Sequence, residues 1–309
     1  MQKRERKVGV LLGGLSSERD VSLSSGGAVA SALRSRGHDV VEIDVGRDLP
    51  EQLRTLGVEV AVVMLHGTFG EDGCVQGLLE MMGIPYSGSG VAASALTMDK
   101  VRTKRLLAAD GLPVADDIVL TPDEVAEQPP GPPFGLPLVV KPAAEGSSVG
   151  TTIVREADQW LAALAEAARW GQVLVEAFHP GPELTCSMLD GEALPLVEIR
   201  PRDGFYDYRN KYTKGCTEYL CPAPVAESTT RQVQQLAERT VAVCGVEGVA
   251  RVDFMMGGGD DPVILEVNTI PGMTELSLVP MAAREVGLEF ADVAERILDG
   301  ARLRLAEAE

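Results

Sequence analysis

The first hundred residues alternate continuous apolar runs with stretches whose apolar residues recur at helical spacing. The apolar runs Val8–Leu12, Val40–Val45 and Val58–Leu65 predict buried strands, and the intervening stretches Ser22–Leu33 and Val75–Met82 predict helices. Strands that alternate with helices in this way predict an open parallel sheet. Ligands bind such a sheet beyond the carboxyl ends of its strands, so the loops that follow the strands are the first candidates for function.

The pattern changes near residue 100. A helix is predicted over Asp99–Ala109. A second helix is predicted to begin at Thr121, because threonine can cap a helix and the following proline suits a first turn. The proline-rich stretch Gln128–Pro137 predicts a loop. A strand–loop–strand unit over residues 138–154 and a helix over Asp158–Trp170 follow. Later elements are predicted at Val173–Ala177 (a strand), Arg231–Val243 and Met281–Leu298 (helices).

The composition excludes several classes of protein. With 45% hydrophobic and 24% charged residues, the 309-residue chain can bury a core, and its length predicts about two or three domains. Acidic residues outnumber basic ones 46 to 28, and the net charge of −18 argues against nonspecific nucleic-acid binding. The five cysteines form no C-x-x-C pair, and no apolar run reaches the ~18 residues of a membrane span. We therefore expect a cytoplasmic protein with neither a nucleic-acid nor a membrane partner.

Two glycine-rich loops follow strands of the predicted sheet. The glycines of residues 13–20 allow a sharp turn and a close ligand approach, but taken alone this loop is better explained as a plain strand–helix turn. It also departs from the G-x-G-x-x-G pattern of dinucleotide sites. Residues 66–73 combine His66 with three glycines and two acids, and here a binding loop and a structural loop remain equally open.

A third glycine loop, residues 141–150, lies between two predicted strands. Its serines and glycines could fold over phosphate groups and donate backbone N–H groups, while Lys141 supplies positive charge. It is not a Walker loop, because the lysine comes first and no helix follows directly. The arrangement favours a phosphate site over a plain hairpin.

The richest pattern joins two predicted strands near the C-terminus. Arg251 and Asp253 share one face of a strand, and Glu266 and Asn268 share one face of the next. If the strands pair through the turn at Gly257–Asp261, the oxygens of Asp253, Glu266 and Asn268 can converge. Such oxygens suit Mg²⁺ carried on a nucleotide. Because the alternate positions are apolar, we interpret these polar groups as lining a cleft.

At these residues the sequence resembles the D-alanine–D-alanine ligase family of the ATP-grasp superfamily. The resemblance extends over nearly the whole chain and keeps the family's order of motifs. The matching motifs lie at residues 11–23, 66–100, 139–150, 205–212, 251–256 and 265–283.

The resemblance implies an ATP-grasp fold that combines α/β and α+β parts. An N-terminal parallel α/β domain would span residues 1–99, a central ATP-grasp domain residues 100–182, and a C-terminal α+β domain residues 183–309. ATP would lie between the last two domains. The proline-rich loop would then fall inside the central domain.

The resemblance also implies an activity. Two D-alanines would be joined with ATP for peptidoglycan precursor synthesis, through a D-alanyl phosphate, releasing ADP and phosphate. Two Mg²⁺ or Mn²⁺ ions would accompany the ATP. The relatives are usually cytoplasmic homodimers.

Individual positions match the family's functional residues. Positions that match ATP contacts are Lys100, Lys141, Glu176, Phe178, Glu183 and Lys211, of which the lysines would contact phosphates. Positions that match metal ligands are Asp253, Glu266 and Asn268. Positions that match catalytic groups are Glu18, Ser147, Tyr212, Arg251 and Gly272, and those that match other substrate contacts are His66, Ser277 and Leu278.

Each implied role has a chemical reason. Glu18 would receive the ammonium of the first substrate with His66 nearby, and Ser147 and Tyr212 would be its hydrogen-bonding partners. Arg251 and the N–H of Gly272 would stabilise the tetrahedral oxyanion. Ser277 and the backbone of Leu278 would receive the carboxylate of the second substrate.

Three alternatives remain open at this point. The chain could make a D-lactate ester or use D-serine, it could be another ATP-grasp carboxylate–amine ligase, or it could bind a nucleotide without catalysis. The complete set of matching metal and phosphate positions argues against the last. The aromatic loop at residues 205–212 resembles a lid that would exclude water, and its Lys211-Tyr212 pair is the pattern of relatives that make the dipeptide.

Overall fold

In the computed structural model, the chain is described over residues 6–146, 148–202, 215–257 and 261–305. Across these ranges, no helix combines the length and apolar character needed to cross a bilayer.

The strands form three sheets. In chain order they are β1 (Lys7–Leu12), β2 (Asp39–Asp44), β3 (Val60–Val63), β4 (Asp117–Leu120), β5 (Leu138–Pro142), β6 (Thr152–Val154), β7 (Val173–Ala177), β8 (Glu183–Leu189), β9 (Glu192–Ala193), β10 (Val197–Pro201), β11 (Thr217–Leu220), β12 (Val249–Met256) and β13 (Pro262–Asn268).

Helices connect and cover these sheets. They are α1 (Arg19–Ser35), α2 (Leu49–Leu56), α3 (Cys74–Met82), α4 (Val91–Met98), α5 (Lys100–Ala109), α6 (Pro122–Glu127), α7 (Trp160–Ala168), α8 (Glu227–Cys244), α9 (Leu278–Glu285) and α10 (Phe290–Asp299).

The N-terminal sheet has the parallel order β2-β1-β3, so the predicted parallel sheet is confirmed. Val10 and Leu11 of the central strand are fully buried, as expected for a strand covered on both faces. The core of this sheet continues into Val279 of α9 and Val293 of α10. Because the end of the chain packs on its beginning, the loops before α9 lie beside the loops that follow β1 and β3.

The central sheet is antiparallel, in the order β4-β7-β5-β6. It contains the predicted strand–loop–strand unit, with Leu138 opposite Val154. Thr121 caps α6 in a reciprocal capping box with Glu124, as its sequence predicts. The C-terminal sheet has the order β11-β10-β8-β12-β13, with β9 paired to β8.

Four local expectations are corrected. The helix predicted over Met281–Leu298 is divided into α9, which ends at Glu285, and α10, which begins at Phe290. The third strand is shorter than predicted, spanning Val60–Val63 rather than Val58–Leu65, because the chain turns into its loop earlier. The predicted helix over Asp158–Trp170 is divided into a 3-10 turn at Ala157–Gln159 and α7. The helix α4 was not predicted, since its small apolar residues show no polar face.

Candidate functional site

A cavity of about 500 Å³ opens between the central and C-terminal sheets. We call it the inter-sheet cavity. The predicted ATP and metal residues found in its lining are Lys100, Lys141, Glu176, Phe178, Glu183, Asp253 and Glu266. These residues come from both sheets and from the start of α5, so the fold brings together positions that lie far apart in sequence.

A buried carboxylate organises one wall of this cavity. Glu176 on β7 contacts the ammonium groups of Lys141 on β5, at 2.6 Å, and of Lys104 on α5. Burial alone would raise the pKa of Glu176, but the two lysines outweigh it and hold the pKa below its ordinary value. Lys104 also lies 3.4 Å from the carboxylate of Asp117 on β4. The wall therefore holds two buried cations next to the space that a nucleotide would fill.

Lys100 joins the glycine loop to the C-terminal sheet. Its Nζ donates to the carbonyl oxygen of Glu145 at 2.6 Å and lies 3.2 Å from Oε2 of Glu266. The backbone N–H of Lys100 also donates to the carbonyl oxygen of Ala143 at 2.9 Å. The start of α5 is thus anchored to the glycine loop through both backbone and side chain, and its ammonium group faces the candidate metal residue.

The predicted pairing of β12 with β13 is confirmed. Asp253 stands opposite Glu266, and Arg251 stands opposite Asn268. The register shifts by one residue after Asp253, so that Phe254 pairs with Ile264.

Asp253 is the centre of the polar contacts on this hairpin. Its two carboxylate oxygens accept from Arg251, at 2.8 and 2.7 Å, while Thr185 and Asn268 donate at 2.7 and 3.1 Å. Two carboxylates and one amide carbonyl are a suitable but incomplete donor set for a hard cation, which nucleotide phosphates would complete. In the described ranges no three His, Cys, Asp or Glu side chains cluster as a metal site by themselves.

A second group of predicted residues meets where four loops converge. We call this the loop junction, and it comprises Glu18, residues 66–71, Gly146 and residues 270–273. A Cβ at Gly67 would lie 2.8 Å from Oε2 of Glu18, and one at Gly146 would lie 2.7 Å from the same atom. A side chain at either position would therefore displace the carboxylate of Glu18, and Gly67 also has the positive φ of +68° that favours glycine.

His66 lies beside Glu18 in the loop junction. Its ring is buried, with Nε2 at 3.4 Å from the Ser25 hydroxyl, and its carbonyl accepts from Ser16 at 2.6 Å. Burial lowers the pKa of His66 below its ordinary value, although the charge of Glu18 opposes the shift. His66 is therefore suited to a neutral hydrogen-bonding role.

Glu71 connects the N-terminal part of the junction to its C-terminal part. One carboxylate oxygen accepts from the N–H of Gly67 at 2.8 Å, and the other accepts from the N–H of Ile270 at 3.1 Å. Burial, reinforced by the charge of Glu18, raises the pKa of Glu71 to about 7, although both N–H donors oppose the shift.

The remaining substrate positions lie between β13 and α9. Ser277 precedes the first residue of α9, Leu278, and its hydroxyl accepts from the N–H of Thr274 at 2.9 Å. A Cβ added at Gly272 would lie 3.3 Å from that hydroxyl, so the two predicted positions are neighbours. The backbone N–H groups that open α9 provide a suitable environment for a carboxylate.

Three predicted site residues lie outside the described residues. They are Ser147, Lys211 and Tyr212, and the predicted lid at residues 205–212 is outside with them. Their assigned roles stay predictions.

Sequence reasoning missed Lys104, Glu71 and Ser25. Lys104 lies in a charged helix, and only its burial against β7 reveals its contact with Glu176. Glu71 lies in the loop at residues 66–73, whose many polar groups already suggested a binding loop. The sequence did not indicate which of the two acids in that loop has a role. Nothing in the local sequence distinguishes Ser25 from the other serines of α1.

Comparison with known proteins identifies the family. The profile described as the D-ala D-ala ligase C-terminus matches residues 106–299, and that of the N-terminus matches residues 46–89. The D-alanine–D-alanine ligase of Anaeromyxobacter sp. (strain Fw109-5) is 52% identical over 97% of this chain and 98% of that protein. The corresponding ligase of Syntrophotalea carbinolica is 50% identical over 98% of this chain and 100% of that protein.

Solved structures agree with the sequence comparison. A D-alanine–D-alanine ligase from Bacillus anthracis superposes with a TM-score of 0.83 at 34% identity, covering 96% of this chain and 97% of that one. The same organism's enzyme complexed with ATP gives 0.81 at 31% identity, with the same coverage. The predicted ATP-grasp fold is thereby confirmed. The chain belongs to the D-alanine–D-alanine ligase family.

Proposed function

We propose that this protein joins two D-alanines into D-alanyl-D-alanine with ATP, through a D-alanyl phosphate, for peptidoglycan precursor synthesis. The observation that carries the proposal is the position of the glycine loop. Glu145 accepts from Lys100 on the side of the inter-sheet cavity. The next residue, Gly146, packs against Glu18 in the loop junction. Two consecutive residues of the glycine loop therefore connect the cavity that would bind phosphates with the carboxylate that would bind an ammonium group.

The first step activates a carboxylate. An oxygen of the first D-alanine attacks the γ-phosphorus of ATP, and the bond to the bridging oxygen breaks to release ADP. Lys100 and Lys141 offset the negative charge of the phosphates, with Lys211 as a further predicted contact. Glu176, Phe178 and Glu183 would hold the adenine and ribose. Glu18 would fix the ammonium of the same D-alanine, with His66 beside it.

The second step forms the peptide bond. The amine of the second D-alanine attacks the activated carbonyl carbon and loses a proton, and the bond to the phosphate oxygen then breaks. The guanidinium of Arg251 and the N–H of Gly272 would hydrogen-bond the tetrahedral oxyanion. Ser277 and the N–H of Leu278 would hold the carboxylate of the incoming substrate. Ser147 and Tyr212 would complete the network around Glu18.

Asp253, Glu266 and Asn268 would hold Mg²⁺ or Mn²⁺, two ions with each ATP. A bound divalent ion supplies charge neutralisation on the phosphates. The opposed positions of Asp253 and Glu266 on paired strands support this assignment.

Several broader features belong to the same proposal. We propose domains at residues 1–99, 100–182 and 183–309, a homodimeric assembly and a cytoplasmic location. The three sheets fall within these three ranges in turn, which supports the division. The location fits a ligase whose ATP and D-alanine are both cytoplasmic metabolites.

The deciding experiment supplies ATP, Mg²⁺ and a panel of D- and L-amino acids, and measures phosphate and the ligated product by mass spectrometry. We expect phosphate release with D-alanine and a D-alanyl-D-alanine product. Phosphate release with a different amino acid and no D-alanine dipeptide would favour another carboxylate–amine ligase.

A competition between D-alanine and D-lactate at equal concentration tests the closest rival. Ester-forming relatives depart from the Lys-Tyr pair and carry a histidine in this region, where a protonated ring disfavours the charged ammonium of D-alanine. This chain has Lys211-Tyr212, and His179 lies outside that loop. We expect the dipeptide at neutral pH. A dominant D-alanyl-D-lactate product would contradict the specificity and leave the ligase chemistry intact.

A further inference from the structure

Two side chains from the N-terminal part of the chain hold the loop that follows β13. The N–H of Ile270 donates to Oε1 of Glu71 at 3.1 Å, and the N–H of Met273 donates to the hydroxyl of Ser25 at 3.0 Å. These contacts join positions 199 and 248 residues apart in the sequence. The loop is therefore anchored at both ends by elements that do not belong to its own sheet.

The two anchored N–H groups flank the proposed oxyanion donor. Between Ile270 and Met273 stand Pro271, which has no N–H, and Gly272. Gly272 thus carries the one other backbone N–H of this four-residue segment. Fixing the N–H groups on either side of it restricts the direction in which the Gly272 N–H can point.

The anchoring side chains are themselves held in place. Ser25 is fully buried in α1, and its hydroxyl lies 3.4 Å from Nε2 of His66. The other carboxylate oxygen of Glu71 accepts from Gly67 at 2.8 Å. Loss of either acceptor would leave an enclosed N–H without its partner, which is unfavourable enough to displace the loop.

We propose that Ser25 and Glu71 are positioning residues that aim the Gly272 N–H at the tetrahedral intermediate. This inference rests on the proposed function, which assigns that intermediate to the second step. It adds two residues that never touch substrate, and it gives the N-terminal sheet a role in peptide-bond formation as well as in substrate binding.

The proposal separates the two chemical steps. Phosphoryl transfer takes place in the inter-sheet cavity, away from these anchors, whereas amine attack depends on the oxyanion donor. A misaimed donor slows amine attack at the acyl carbon, so the acyl phosphate persists until water attacks its phosphorus, a step that does not use the oxyanion donor. The phosphorus–oxygen bond to the D-alanyl group then breaks, releasing D-alanine and phosphate. The net result is ADP formed without dipeptide.

The test compares Ser25→Ala and Glu71→Gln with the wild type and a control. The amide introduced by Glu71→Gln keeps one acceptor oxygen in place of two, so one N–H loses its partner. Ser24→Ala is the matched control, because Ser24 is the exposed neighbour of Ser25 and bonds only within α1, to Asp20 at 2.9 Å. ADP and dipeptide are quantified in the same reaction, with the KM for ATP and thermal unfolding measured alongside.

We expect the kcat for dipeptide to fall about 10- to 100-fold in both test variants, since small displacements of catalytic groups have effects of this size. The ratio of ADP to dipeptide should rise above one, while the KM for ATP stays at the wild-type value. The control should match the wild type in all measurements.

Unchanged dipeptide synthesis with a ratio of one in both variants would overturn the inference. An equal fall in ADP and dipeptide would also overturn it, because a general structural defect moves both products together. Wild-type protein that forms no dipeptide would overturn the proposed function, and this inference with it. Normal wild-type synthesis with unaffected variants overturns the inference alone.

Discussion

Glu176 in the inter-sheet cavity is buried and Glu71 in the loop junction is partly buried, yet their pKa values shift in opposite directions. Two lysine ammonium groups lower the pKa of Glu176 against the effect of burial. Burial and the neighbouring carboxylate of Glu18 raise the pKa of Glu71 to about 7. The difference follows from the charges that surround each group, since burial alone would raise both.

This contrast matches the two kinds of ligand. The lysines in the wall of the inter-sheet cavity suit the proposed phosphates of a nucleotide, and the carboxylates of the loop junction suit the proposed ammonium of an amino acid. Lys100 lies between the two regions, because its ammonium faces Glu266 while its backbone and side chain both bond the glycine loop. The proposed phosphate and ammonium sites thus lie on either side of one short loop.

We expect the largest loss of activity from a substitution of Glu266, whose carboxylate contacts Lys100. In Glu266→Gln we expect a fold like that of the wild type and a fall in kcat of about 100-fold or more, because a proposed metal ligand and a partner of Lys100 are lost together. Steady-state turnover at ordinary Mg²⁺, with circular dichroism as the folding control, checks this. Turnover like that of the wild type would contradict the assignment of Glu266 as a metal ligand.

Lys104→Met should be the next largest change. It leaves Glu176 with a single lysine, and we expect a loss of about 3 kcal/mol in the free energy of unfolding together with a higher KM for ATP. Urea unfolding measures the first quantity. Arg105→Met is the matched control, because Arg105 binds the same Asp117 with an exposed side chain and should contribute about 1 kcal/mol or less. Equal losses in both variants would contradict the special role of the buried pair.

The junction is tested by Glu18→Gln. Loss of its charge should raise the KM for D-alanine about 10- to 100-fold, since charged hydrogen bonds are worth about 1.5–3 kcal/mol. ATP affinity should stay unchanged, because Glu18 lies on the other side of the glycine loop. Calorimetric ATP binding and D-alanine kinetics separate these effects. Weaker ATP binding with unchanged D-alanine affinity would mean that the two regions are misassigned.

The last prediction concerns the pH dependence of the free energy of unfolding. Because the folded state raises the pKa of Glu71 from 4.5 to about 7, the folded protein holds this proton more tightly than the unfolded chain does. The resulting stabilisation is complete below pH 4.5 and is lost as the pH rises through about 7.

Glu71→Gln cannot titrate at this position. Its free energy of unfolding, relative to that of the wild type, should therefore increase between about pH 4.5 and about pH 8. Unfolding series at several pH values for both proteins provide the measurement. Parallel pH profiles would contradict the raised pKa.

The features that could be predicted from the sequence are those that depend on the local spacing of apolar and polar residues. The two-residue period placed Arg251 and Asp253 on one strand face and Glu266 and Asn268 on another. The structure shows that the two strands pair and sets the register, with Asp253 opposite Glu266. The buried strands of the first sheet were also recognisable, because parallel strands are apolar on both faces. Their exact ends were less accurate, as β3 shows, because a loop can begin while its residues are still apolar.

Contacts between distant loops could not be predicted in the same way. Glu71 meets Ile270 only because the core of the N-terminal sheet continues into α9 and α10. Lys104 is buried only because β4 and β7 bring Asp117 and Glu176 to it. The spacing of residues along the sequence indicates neither contact. The roles of Glu71 and Lys104 could therefore be recognised only from the three-dimensional structure.

The backbone wall around Glu18 has a consequence for how this protein can change over time. A Cβ added at Gly67 or Gly146 would come within 2.8 or 2.7 Å of the carboxylate, so any larger residue would push the Glu18 side chain aside. A change of amine or alcohol donor is therefore easier to obtain by varying the surrounding loops than by substituting either glycine.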